Sequence, residues 1–200
     1  MSWSATAVRW TERLARLMAV LGGLILMALI VLVVMSVAGR ALNGLGHTDL
    51  VERWVPGFGR WLLGTGVGPL DGDFEVLEAG VAVAIFACLP LCQFVGGHAT
   101  VDLFTDRLPS RLQRALIAFW ESVLAAVIVL IGLRLYAGLL GKLDNGETTF
   151  LLQFPVWWAY AASLAACATA MLTGVVCALL RWVELIGERD ALPIDGQGAR

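Results

Sequence analysis

Gly96-Gly97-His98-Ala99-Thr100-Val101-Asp102-Leu103-Phe104-Thr105-Asp106-Arg107-Leu108-Pro109-Ser110-Arg111 is the only polar segment in the middle of a very apolar chain. Long uncharged runs lie on both sides of it, so it joins two membrane spans. Its own pattern is that of a short helix on the membrane surface. Thr100 can cap the first turn; Val101, Leu103, Phe104 and Leu108 are apolar, while Asp102, Asp106 and Arg107 are not. His98 and Asp102 stand four apart and can face one another across a turn, with Asp102 complementing the positive end of the helix dipole. Pro109 suits the first turn of the next helix, where its missing N–H costs nothing. Arg107, Arg111 and Arg114 gather at one membrane face, which should be cytoplasmic.

Working outward, four apolar runs emerge. Leu17–Ala38 is 22 residues without a charge, and a span needs about 20 at roughly 1.5 Å each. Ser36-Val37-Ala38 resembles a signal-peptide cleavage site, but this run is longer than the usual apolar core of such a peptide, so a retained helix is expected. Before it, Arg9, Arg13 and Arg16 share one helical face, as in a segment lying on the membrane before the chain turns in. Ala79–Gly97 is the second span, with Pro90 expected to kink it. The third runs over residues 115–140 and the fourth over 154–180, opened by Pro155. The connection 39–74, broken by Pro56 and Gly57, carries amphipathic pieces, and Asp71-Gly72-Asp73 makes a turn into span two. Residues 98–114 form the cytoplasmic loop, Asn145-Gly146 turns the chain into span four, and residues 181–200 form a polar tail. The expected fold is therefore all-α: one membrane domain of four transmembrane helices with short interfacial amphipathic helices.

Lys and Arg decide the orientation. Arg9, Arg13, Arg16, Arg107, Arg111, Arg114, Arg181, Arg189 and Arg200 fall on one side, and Arg40, Arg53, Arg60 and Lys142 on the other. That asymmetry places both termini in the cytoplasm. Trp157, Trp158 and Tyr160 then sit at the outer surface and Trp120 and Trp182 near the inner one, as an aromatic belt requires.

Composition excludes several classes. With 59% apolar residues, mean hydropathy +0.81 and net charge −2, the chain lacks the basic surface that nucleic acid demands. Cys88, Cys92, Cys167 and Cys177 form no C-x-x-C pair and all lie in apolar runs, so neither zinc nor a thioredoxin-like site is supported. His47 and His98 are too far apart to share a haem iron. No cofactor or metal site is expected. Glu121 and Arg134, inside span three, are each within snorkelling reach of the nearer interface. A self-contained small transporter would need Glu121 to face an aqueous cavity. An embedded redox or quinone-linked subunit using the intramembrane cysteines is the alternative from another class.

What the chain does offer is surfaces. Ala162, Ala166, Ala170, Gly174 and Ala178 in span four, and Gly80, Ala84, Cys88, Cys92 and Gly96 in span two, form two small-residue seams at spacing four. Such seams let helices approach closely. Either both pack this bundle's own helices, or one of them, with span four as the candidate, meets a partner.

Gly97-His98-Ala99-Thr100-Val101-Asp102-Leu103-Phe104 followed by Leu108-Pro109-Ser110-Arg111 resembles the G-H-x-x-V-D-[LIV] … L-P-x-R signature of the small membrane subunit (DctQ-type, Q component) of TRAP transporters, the tripartite ATP-independent periplasmic transporters. Asp73-Phe74-Glu75-Val76-Leu77-Glu78 resembles the family's acidic entry to its second helix. Gly146-Glu147-Thr148-Thr149 with Gln153-Phe154-Pro155-Val156-Trp157-Trp158-Ala159-Tyr160 resembles the entry to its fourth. The likeness covers Asp73 to about Leu180, and the connection 39–74 is longer than in the simplest members. It implies a non-enzymatic scaffold in a bacterial inner membrane. A large elevator-type M subunit would carry the substrate and sodium sites, and a periplasmic P protein would deliver an organic acid. Glu75, Glu78, Gly97, His98, Asp102, Arg107, Pro109, Arg111, Pro155 and Trp157 are the motif positions expected to order this chain.

Overall fold

The computed structural model describes residues 2–48, 57, 68, 70–96 and 109–187. Four helices account for nearly all of them: α1 (Ser2–Gly46), α2 (Asp73–Phe94), α3 (Ser110–Asn145) and α4 (Trp157–Gly187). Each is long and apolar enough to cross a membrane. No strand occurs among the described residues. The expected surface helix over 98–108, most of the connection 49–69 and the tail beyond residue 187 lie outside them.

α1 differs from expectation. The N-terminal arginines do not belong to a piece separated from the span by a turn; one unbroken helix of 45 residues runs from Ser2 to Gly46. Nothing in Ser2–Arg16 would break it, since that stretch has neither Gly nor Pro, and Glu12 pairs with Arg16 one turn on at 2.5 Å. The same helix absorbs residues 39–46, expected to begin the connection. At about 68 Å it exceeds the roughly 30 Å hydrocarbon layer by a wide margin. The other helices also outrun their apolar cores: α3 begins at Ser110 and α4 ends at Gly187.

The ends are set by local chemistry. Gly72 (φ 79°) turns the chain into α2, and Gly146 (φ 61°) closes α3, both in the left-handed region where a Cβ is strained. Pro109 is not in the first turn of α3 but caps it from just outside, its carbonyl accepting the N–H groups of Leu112 (2.9 Å) and Gln113 (3.1 Å). Pro155 likewise precedes α4, accepting from Trp158 N–H at 3.1 Å. Pro90 lies buried inside α2.

The helices pack in the order α1–α2–α4–α3, with only a minor contact between α1 and α4. α1 meets α2 antiparallel along one narrow line. Ser36 meets Asp73, Leu29 meets Gly80, Gly22 meets Ala87, and Ala15 clusters with Phe94. Each step takes seven residues back along α1 and seven forward along α2. This is the heptad periodicity of a left-handed coiled coil, with small side chains at the points of closest approach. α3 does the same against α4: Ala118, Glu121, Ala125, Ile128 and Gly132 are buried at three-four spacing, with Gly132 under Met171 and Gly138 against Tyr160.

Candidate functional site

At the end of the bundle that carries the α3–α4 loop, one carboxylate ties that loop to α2. The loop is a tight reversal. Thr148 and Pro155 form an isolated bridge, Thr149 N–H donates to Phe154 O (2.9 Å), Val156 N–H to Glu147 O (3.0 Å) and Phe154 N–H to Thr149 Oγ1 (3.2 Å). Leu151 and Leu152 at its tip find their acceptor elsewhere. Glu75, in the first turn of α2, accepts both, from Leu151 at 2.6 Å and Leu152 at 3.0 Å. Lys142 clasps Glu147 at the foot of the same loop, and Asn145 adds a longer contact at 3.4 Å. The Lys142 hydrogen bond holds the Glu147 carboxyl below the ordinary range, against the opposing effect of partial desolvation.

Glu75 and Glu78 also stand at the rim of a groove of about 480 Å³ between α2, α3 and α4. Ala82, Phe86, Leu135 and Phe154 line it, with Tyr160 and Ser163 among the few polar groups. The motif positions at the entries of α2 and α4 thus converge on one place, Pro155 bridging the loop and Trp157 opening α4 edge-on to Trp158. Such an arrangement positions helices. Its carboxylates are rim groups, and Glu75 is occupied by backbone amides.

At the opposite end the structure corrects the reading of Glu121. Rather than snorkelling, Glu121 is buried and accepts a hydrogen bond from the fully buried Gln93 of α2. The reason is its register: Glu121 falls on the α3 stripe that faces α4, so its side chain is directed into the bundle. Nearby, Trp182 Nε1–H donates to Ser122 Oγ (2.9 Å) and Arg181 pairs with Glu184 (3.1 Å) where both are nearly buried. Gln93 was missed in the sequence, although it is the one amide in an otherwise apolar run. The spacing of Glu121 from Ala118, Ala125 and Ile128 was the available signal for its burial.

The small-residue seams are mainly internal. Ala166, Ala170, Gly174 and Ala178 are buried against this chain's own helices, Gly174 facing Ala125 of α3, and only Ala162 is exposed. Those four positions are buried because α4 is flanked on both sides by α2 and α3. The span-two seam packs on α1, where Gly22 meets Ala84, Ala87 and Cys88. Of the remaining motif residues, Pro109 caps α3 and Arg111 is exposed on its first turn. Gly97, His98, Asp102 and Arg107 lie outside the described residues. All four cysteines are free thiols, Cys167 and Cys177 buried in α4.

Comparison with curated proteins and with solved structures finds no match. A family model described as tripartite ATP-independent periplasmic transporters, DctQ component, matches residues 54–185. That span takes in the loop-tethering Glu75, the Gln93–Glu121 pair and the whole packed core of α2, α3 and most of α4. With four membrane-capable helices and a family match over well over half its length, the chain belongs to the DctQ component family of TRAP transporters.

Proposed function

We propose that this chain is the non-catalytic small permease subunit of a TRAP-type secondary transporter, a fixed scaffold for a large elevator-type M subunit. Uptake would be sodium-coupled, its organic acid delivered by a periplasmic P protein, and both termini of this chain would lie on the cytoplasmic side of a bacterial inner membrane. The observation that carries this reading is the family match over residues 54–185. The bundle interior supports it. Polar groups at membrane depth mark transport paths when they face a cavity; here Glu121 is engaged by Gln93 and Glu184 by Arg181. Seven-residue seams of small side chains favour a rigid body over a moving one.

Co-purification tests the reading. The tagged chain, extracted gently after co-expression with a large M subunit, should retain it stoichiometrically, and reconstituted uptake should require both. Recovery of this chain alone, with uptake by the large subunit undiminished, would remove the scaffold role. Glu121→Gln should leave the substrate choice and sodium dependence of uptake unaltered, because that carboxylate binds its own bundle.

A further inference from the structure

Arg134 is the one charged residue of α3 that lies between the aromatic levels at its two ends and points away from the bundle. The levels follow from packing. Ser122 bonds Trp182 at one end. At the other, Gly138 meets Tyr160, which places Trp157, three residues earlier on the antiparallel α4, beside Gly141. From Ser122 to Gly141 is about 28 Å of helix, close to the hydrocarbon thickness. Arg134 therefore sits about 10 Å inside the loop-end belt. It is exposed, and it has no acidic partner among the described residues.

A guanidinium at that depth is costly in lipid, and intramembrane charges nearly always face protein or water. Snorkelling is a poor escape here. The Cα–Cβ bond of a helical residue tilts toward the helix N-terminus, which for α3 is away from the nearer belt. Beside Arg134 on the same stripe lie Ala137 and Gly141; nothing approaches within 4 Å of a Cβ built at Gly141. Two small residues at spacing four beside an unmatched cation make a face that another helix can approach closely. The exposed side of α1 contrasts with it, since Leu17–Ala38 carries no charge at all and needs only lipid.

We infer that the loop-end half of the exposed α3 face docks the large membrane subunit, with Arg134 pairing a carboxylate of that subunit. The inference rests on the scaffold reading and adds which face makes the joint. A second copy of this chain is a poor occupant, because symmetric pairing of this face would bring two Arg134 side chains together. A bidentate Arg–carboxylate pair shielded from water is specific in geometry as well as charge.

The test uses the chain co-expressed with its large membrane subunit. A photo-crosslinking residue is placed at Leu130 or Ala137 on α3, and at Met27 or Val31 on α1. Crosslinks to the large subunit should come from the α3 positions and not from α1. Arg134→Glu should lower recovery of the large subunit about tenfold or more, and Arg134→Lys by less. Arg134→Leu should lower that recovery too, while the isolated chain keeps its helicity and melts no earlier, since its own bundle never used the charge. Crosslinks from α1 alone, crosslinks to a second copy, or no protein crosslink from α3 would each overturn the inference. So would unchanged recovery for Arg134→Leu and Arg134→Glu. If the wild-type chain retains no large subunit, the scaffold reading fails first and takes this inference with it; if it does while α3 stays silent, only the docking face is wrong.

Discussion

α1 and α4 are both long and apolar enough to cross a membrane, yet they occupy opposite situations. Within its most apolar 18 residues α4 is 44% buried, whereas α1 is only 11% buried. α4 has neighbours on both sides and buries a broad face, while α1 sits at the edge of the row on a single seven-residue seam. The difference teaches that tightness and burial are separate quantities. A Cβ at Gly174 in the central helix would lie 3.6 Å from Ala125, ordinary contact, whereas one at Gly22 in the edge helix would come within 2.9 Å of Cys88 Sγ and 3.1 Å of the Ala84 carbonyl. At Gly22 the sparsely buried helix is held by close approach, because a narrow seam can stabilise only in that way.

The largest expected effect tests the centre. Gln93→Leu removes a donor from the buried Glu121 carboxylate and should cost about 3 kcal/mol, read as a lowered unfolding midpoint in detergent. The double variant Gln93→Leu with Glu121→Leu should recover much of that loss, since a matched apolar pair leaves no charge stranded. A neutral single variant would show that other groups satisfy Glu121.

Next comes the contrast between glycines. Gly22→Ala should destabilise by about 1–2 kcal/mol through overpacking, while Gly174→Ala should be neutral or stabilising by up to about 0.5 kcal/mol, having room and a better helix former. Equal costs for the two would break the distinction between edge and centre. Gly174→Leu exceeds the available room and should cost about 1–3 kcal/mol.

Smaller effects belong to the loop. Glu75→Gln should speed hydrogen exchange at Leu151 and Leu152 without altering exchange in α1, because only the loop is tethered through that carboxylate. Exchange unchanged at both amides would mean the hairpin holds itself. The weakest effect is pH-dependent. The Glu147 carboxyl is held below its ordinary value of 4.5 by Lys142, so its contribution is present above that value and is lost as pH falls through the lowered one. Fluorescence from the neighbouring Trp157 and Trp158 should follow that acid transition in the wild type and not in Lys142→Met. At the other extreme Met27→Ala, on the exposed side of α1, should change stability by less than about 0.5 kcal/mol.

Much of this was legible residue by residue. The four spans could be read directly, because a chain in lipid must satisfy its backbone internally and so declares each crossing as a long uncharged run. The turns at Asp71-Gly72-Asp73 and Asn145-Gly146 were readable from their residue types, and the motif at Glu75 marked a site of constraint. Its partner, two amides some 76 residues away, has no local signature. The continuity of α1 is hidden from hydropathy, which changes sharply at Arg16 although nothing there interrupts a helix.

By itself, then, the sequence determined the number of membrane-capable helices and the family, both of which follow from hydropathy and short motifs. Only the tertiary structure decided which faces meet: that the span-four seam is spent inside the bundle, that Glu121 is buried against Gln93, and that Arg134 is left outside. The physical reason is that lipid tails and helix interiors are equally apolar. In water a buried face announces itself by contrast with a polar one; in a membrane that contrast is absent, and packing alone chooses the side.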